Sequence, residues 1–340
     1  MSDEYLWDRS GKPDPEVQQL EEMLRPLAHK GGAFRSPAST RARVRGPVRR
    51  HGVTGALALA ASLLVAAAVA QWWRAQPERR SLIGWTVARV EGAPTLGSRP
   101  MDERDQFTAD RALVTDGAAK ARIEVPGMGV VDVDRRSRVE LVPVDGRPPR
   151  LRLPYGTLHA QINAPPGRFI VETPSATAVD LGCAYTLHVD EDGAGDVAVT
   201  FGWISLEWGG RESFVPAGAM CRTRPQLGPG TPHHTHVSAE YRAALDVLDF
   251  GDGTATERSA ALDRVLRESR AVDVLTLWHL LARATPLERG TVFDRLAQLI
   301  PPPRSVTREG IVAGDRTMLE RWGTELGLGE VLSLRGDRQR

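Results

Sequence analysis

The chain has 340 residues, 26% of them charged, with 44 Lys and Arg against 43 Asp and Glu. A formal net charge of +1 supplies no global field of the kind that draws a protein to nucleic acid, so none is expected as a partner. Two cysteines, Cys183 and Cys221, are too few for a Cys-only structural zinc site.

The first segment, residues 1–52, changes charge along its length. Up to Leu24 the acids Asp3, Glu4, Asp8, Asp14, Glu16, Glu21 and Glu22 outnumber Arg9 and Lys12; from Arg25 to His51 there is no acid, while Arg41, Arg43, Arg45, Arg49 and Arg50 accumulate. Asp14-Pro15 is a helix start, an N-cap acid with proline at the first helical position. Val17, Leu20, Leu24 and Leu27 follow at helical spacing, and Pro26 stops or kinks the helix. A helix of about three turns is marginal alone in water. Its stripe, with Tyr5, Leu6 and Trp7 ahead of it, therefore reads as a partner-binding surface made of Tyr5, Leu6, Trp7, Val17, Leu20 and Leu24. Residues 31–47, rich in Arg, Ser, Pro and Gly, read as a linker.

Residues 53–73, VTGALALAASLLVAAAVAQWW, hold no charge. At about 1.5 Å per residue the run spans roughly 30 Å, the thickness of a hydrocarbon core. Leu57, Leu59, Leu63 and Leu64 supply the apolar drive, and Trp72 and Trp73 stand where aromatic rings favour the interface. The run is expected to be a transmembrane helix. The arginines before it outnumber Arg74, Arg79 and Arg80 after it, which puts the N-terminus in the cytoplasm and the rest outside. Ala68-Val69-Ala70 has the small-x-small pattern of a signal cleavage site, but some fifty residues of charged sequence ahead of it favour an uncleaved anchor.

Residues 74–227 change to short alternating runs broken by glycine and proline. Trp85–Val90, Ala121–Val125, Val130–Asp134 and Val197–Phe201 read as strands, with turn signals at Asp116-Gly117, Asp145-Gly146 and Asp192-Gly193. So many short strands mean an all-β sandwich, roll or solenoid. Both cysteines follow the apolar run, so on an oxidising side they are expected to pair as a Cys183–Cys221 disulfide; two buried thiols acting as small hydrophobes are the competing state.

From residue 228 to 340 the pattern is helical. Thr254 and Glu257 form a capping box ahead of Leu262, Val265 and Leu266, and Thr285-Pro-Leu-Glu288 forms a second with proline at the first position. Val274 to Leu281 and Met318, Leu319, Trp322 and Leu326 mark further helices, and Pro301-Pro-Pro303 is a stop. Closely joined short helices read as an antiparallel bundle or α-hairpin array. His233, His234 and His236 form a dense cluster, read as a polar linker between the β and α regions in preference to a surface metal site. The sequence holds no G-x-S-x-G elbow, P-loop, H-E-x-x-H or dinucleotide fingerprint. Ser175 and Asp180 have no evident base beside them. No enzyme activity, cofactor or metal is expected.

The β region resembles the FecR family, named for a regulator in iron-dicitrate signalling. The resemblance lies in LVTDGAAKARIEVPGMGVVDVDRRSRVEL (113–141), RLRLPYGTLHAQI (150–162), FIVETPSATAVDLGCAYTLHV (169–189), VAVTFGWISLEW (197–208) and FVPAGAMC (214–221). The third stretch is similar to the family's strand, Thr-Pro turn, Asp-Leu-Gly kink and following strand; the last two resemble its closing hairpins. The resemblance implies a cytoplasmic part that binds a sigma factor as an anti-sigma factor, one membrane helix in the bacterial inner membrane, and a periplasmic domain that meets a protein or ligand. The regulatory expectation is thus a periplasmic sensing domain coupled to a cytoplasmic sigma factor and hence to transcription. The other is an envelope scaffold, or a glycan- or protein-binding module, anchored by its helix without signalling.

Overall fold

The structure is a computed structural model that describes residues 84–338 apart from 145, 146 and 252. The described residues all fall within one compact unit, 76–340. The expected tail contacts at Tyr5, Leu6, Trp7, Val17, Leu20 and Leu24, and the apolar run 53–73, lie outside the described residues. Among the described residues no helix is long and apolar enough to cross a membrane.

Residues 85–234 form two sheets. In spatial order the first holds β4 (Arg104–Phe107), β1 (Trp85–Glu91), β6 (Lys120–Val125), β7 (Gly129–Val133), the second half of β9 (Arg147–Ile162), β12 (Ala184–Val189), β13 (Gly195–Phe201) and β16 (Ala219–Arg224). The short strands β17 (Gly228–Pro229) and β18 (His233–His234) close it beside β16. The second sheet holds β3 (Arg99–Pro100), β2 (Thr95–Leu96), β5 (Leu113–Thr115), β8 (Ser137–Val144), the first half of β9, β10 (Ile170–Glu172), β11 (Thr177–Asp180), β14 (Trp203–Trp208) and β15 (Arg211–Pro216). All pairings are antiparallel except β9 with β10.

Alternation explains the layers. In β6, Ala121, Ile123 and Val125 are buried while Arg122 lies outward beside Asp132 of β7. Val87, Ile123, Val131, Leu158, Leu187 and Val197 of the first sheet share one core with Leu113, Val139, Leu151, Val171 and Leu206 of the second. The architecture is therefore a sandwich, the first of the three forms the alternation allowed.

The two sheets share β9. Its residues from Arg147 to Tyr155 pair with β8, and from Gly156 onward it pairs with β7 and β12. The strand changes sheet at Gly156, where φ is +105°. A Cβ there would run into the backbone and side chain of Ser137, whose hydroxyl accepts from the Thr157 amide at 2.9 Å.

The strands expected at 85–90, 121–125, 130–134 and 197–201 are present, and Asp192-Gly193 joins β12 to β13. Residues 173–176 make the Thr-Pro turn between β10 and β11, with the Thr173 hydroxyl accepting from the Ala176 amide at 2.9 Å. The 197–208 stretch, in contrast, is not a hairpin. Gly202, at φ +72° and packed on the Gly182 carbonyl, carries the chain from β13 in one sheet to β14 in the other.

The cysteine pairing is also corrected: both thiols are free and buried. Strands β12 and β16 flank β13 on opposite sides, about 9–10 Å apart. Cys183 precedes Ala184, which faces Phe201, whereas Cys221 faces Val197. A disulfide needs Cα atoms within about 7 Å, and the register keeps these two well beyond that.

The helices are α1 (Ala239–Phe250), α2 (Ala255–Glu268), α3 (Val274–Arg283), α4 (Pro286–Leu299), α5 (Arg308–Ala313), α6 (Arg316–Gly323) and α7 (Gly329–Arg338). Both expected capping boxes are present, Thr254 with Glu257 and Thr285 with Glu288. The expected last helix is interrupted after α6, where Gly327 at φ +92° breaks the helical path. The helical core of Leu262, Val265, Leu277, Val292, Leu296 and Trp322 also includes Phe214 of β15, with Trp203 packed against it. The segment 228–234, expected as the start of the helical region, instead extends the first sheet.

Replacing Gly156 by Ala should cost about 2–4 kcal/mol, from the strained φ and the crowding of Ser137 together. Urea unfolding of the Gly156→Ala protein measures this; an unchanged midpoint would mean that the bend does not need glycine.

Candidate functional site

Strand β15 is the last of its sheet, and helix α3 lies along its open edge. A buried edge amide needs an acceptor. His279 provides it: Nε2 accepts from the Phe214 amide at 3.0 Å, while Nδ1 donates to the Leu275 carbonyl at 2.7 Å. These two bonds define the neutral tautomer. Burial, and then the nearby Arg283, push the imidazole down to about 3.

One helical turn on, Arg283 clamps three segments. Its guanidinium donates to Ser213 Oγ at 2.5 Å, to Thr231 Oγ1 at 2.8 Å and to Asp249 Oδ1 at 3.2 Å. Asp249 also accepts from the Thr231 amide at 2.6 Å and hydroxyl at 2.9 Å. The Arg283 and Asp249 side chains are only 10% and 3% exposed, so this ion pair is screened little by solvent. Thr276 donates to the Pro232 carbonyl at 2.8 Å, tying α3 to the segment before β18.

Beside this junction lies a cavity of about 380 Å³ between the start of β15 and helices α3 and α6. Arg211, Phe214, Trp278, Arg283, Arg316 and Leu319 are among its walls. Arg211 follows the Gly209-Gly210 turn, both glycines at positive φ, and donates to the Leu227 carbonyl at 2.9 Å. Burial, and then the like charge of Arg283, hold Arg211 below the ordinary guanidinium range. Of the acids in the walls, Glu212 accepts from Ser205 at 3.0 Å. Asp315 caps α6, accepting from the Thr317 and Met318 amides.

The sequence-level candidates do not converge on this cavity. Cys183 donates to Asp180 Oδ2 at 2.9 Å, and Cys221 donates to the Gly230 carbonyl at 3.1 Å. Burial pushes Cys221 up to about 12 and Cys183 well above its usual range. Asp180 also accepts from the Gly182 amide at 2.7 Å. Gly182 stands at φ +88°, so the Asp-Leu-Gly kink is an Asx turn closed by its own carboxylate. Burial raises that carboxyl to about 6. Ser175 is hydrogen-bonded to Thr223 at 2.7 Å, far from any base role. His233 is buried in β18, whereas His234 and His236 stack 5.3 Å apart. Among the described residues no group of three or more His, Cys, Asp or Glu is placed to hold a metal ion. His279, Arg283 and Arg211 were missed because an isolated His or Arg on a helix or strand carries no local signature; only the clamped register brings them together.

Residues 111–205 match the family model described as FecR protein. The match runs from just before β5 into β14 and ends before β15, so the cavity lies outside it. Two crystal structures of a candidate anti-sigma factor from Parabacteroides distasonis ATCC 8503, at 1.65 and 2.50 Å resolution, are similar at 15% identity and a TM-score of 0.31. They cover 46% and 45% of this chain and 76% and 73% of their own. No curated protein matches the chain.

His279 should leave a signature in stability against pH. Its folded value lies near 3 against 6.5 when free, so below 6.5 the unfolded chain takes up a proton that the fold refuses. Stability from this residue is complete above pH 6.5 and is lost as pH falls towards 3, at up to about 1.4 kcal/mol per pH unit. Asp180 acts oppositely: between 3.8 and about 6 the fold holds a proton that the unfolded chain releases, so its contribution is lost as pH rises. The difference between wild type and His279→Gln isolates the histidine. Denaturant titrations from pH 7 to 4 should show the wild type losing stability faster than the variant; parallel curves would contradict a neutral, buried His279.

Proposed function

We propose that this chain, whose residues 111–205 are a FecR domain, is a single-pass regulator of the bacterial inner membrane. Its β sandwich and helices stand on the periplasmic side and its tail acts in the cytoplasm. The FecR match is the observation that carries the regulatory reading. The charge-free run 53–73 and the arginines before it support the anchor and its orientation. The partner proposed for the tail is a sigma factor, as the family layout suggests. Burying Val17, Leu20 and Leu24 supplies about 1.5–3 kcal/mol each before ordering costs, which suits a reversible contact in the micromolar range. No reaction is assigned to the chain: its chemistry in this reading is recognition on both sides of a bilayer.

The full-length protein, crosslinked in cells and recovered from membranes, should bring a sigma factor with it. Leu20→Asp together with Leu24→Asp should abolish that recovery while alkaline phosphatase fused after Arg80 stays active outside. Equal recovery with the double variant would remove the tail as the output and favour an anchored envelope scaffold. An inactive phosphatase fusion would overturn the topology.

A further inference from the structure

The cavity beside Arg211 has no part in the family reading, and its charges are arranged in a way that asks for a ligand. Arg283 is committed: its terminal nitrogens hold Thr231, Asp249 and Ser213. Arg211 spends one donor on the Leu227 carbonyl. The acid whose field favours its charge is Asp249, which already takes Arg283 and both donors of Thr231. Arg211 is thus a half-buried guanidinium, near a second guanidinium, in the wall of the cavity. Of the three acids in the walls, Glu212 accepts from Ser205 and Asp315 from the α6 amides, and Glu320 is the third. Trp278, Leu281 and Leu319 add apolar side chains to the same walls.

We propose that this cavity binds a small organic carboxylate, its acid group on the fork of Arg211 and its ring or apolar part against Trp278 and Leu319. A planar guanidinium matches a carboxylate with two parallel hydrogen bonds. The cavity walls carry four guanidiniums, Arg211, Arg283, Arg289 and Arg316, against three carboxylates, Glu212, Asp315 and Glu320, a formal surplus of one positive charge; a carboxylate brings one negative charge, whereas a phosphate brings about two. The volume of about 380 Å³ lies at the small end of ligand cavities, which suits a single sugar acid or aromatic acid and excludes a folded partner. The site goes beyond the regulatory reading and does not depend on it, since a sensor and a scaffold could each use one. Arg211 follows two glycines and is the first residue of β15, so nothing in the local sequence marks it.

Isothermal titration of the full-length protein with benzoate, glucuronate and N-acetylmuramate, each beside its neutral counterpart benzyl alcohol, glucose or N-acetylglucosamine, tests the site. At least one acid should bind, and more tightly than its neutral mate. Arg211→Gln should weaken it by about tenfold or more, and Arg211→Lys by less, because the charge is kept and the fork lost. Ala282→Trp, on an exposed wall position, should block binding with an unchanged melting temperature, and so decides the matter if Arg211→Gln destabilises the fold. Binding of no acid, equal binding of acid and neutral mate, or binding unaffected by Ala282→Trp would overturn the proposal. Inorganic phosphate that displaces the acids at equal concentration would overturn the carboxylate assignment.

Discussion

The amide of Phe214 lies at a sheet edge that helix α3 covers, and covering an edge obliges the helix to supply an acceptor. His279 does so from the buried face of α3, fixed in the neutral form by its own bond to Leu275. An unpaired buried amide costs about 1–3 kcal/mol, so β15 and α3 fit together in one register and lose stability in others. Arg283 then fastens the same strand to Asp249 at the end of α1 and to Thr231 before β18. Removing one partner from so buried an ion pair costs about 3–5 kcal/mol. The helices are therefore not an appended domain on a linker. They share a core residue, Phe214, with the sheet they cover.

This attachment shapes what the chain offers to its surroundings. The FecR match ends at Ser205, while β14 continues to Trp208 and pairs both with β11 inside the match and with β15 outside it. A ligand held at Arg211 on β15 would thus bear on the strands inside the match through one continuous ladder. The same contact removes the open edge of β15, which would otherwise invite pairing with other chains.

Much of this was legible in the sequence where the governing chemistry is local. Capping boxes act over three residues, and Thr254–Glu257 and Thr285–Glu288 stand where they were read. Alternation in β6, β7 and β13 reports burial on one face directly. Failures occurred where the answer lies in register. Cys183 and Cys221 read as a pair by their number alone, but two-strand separation across β13 keeps them apart. Residues 228–234, rich in Pro, Gly and His, show no alternation because strands of two residues are too short to have any; their place follows from pairing with β16. The run 197–208 looks like one hairpin because both halves alternate, and only the turn at Gly202 sends them to different sheets. The cavity was invisible because Arg211, His279 and Arg283 are joined by packing of strand on helix, with up to seventy residues between partners such as Ser213 and Arg283.

The central structural claim is that sandwich and helices form one cooperative body through the Phe214–His279 and Arg283–Asp249 contacts. Native-state amide hydrogen exchange measures it directly. In one cooperative body the Phe214 amide, the α3 amides and core strand amides such as Ile123 exchange with the same, global free energy, and Arg283→Ala lowers all of them together. Helices α3 and α4 that open at a distinctly lower free energy than the strands, leaving Ile123 protected when Arg283 is removed, would contradict it.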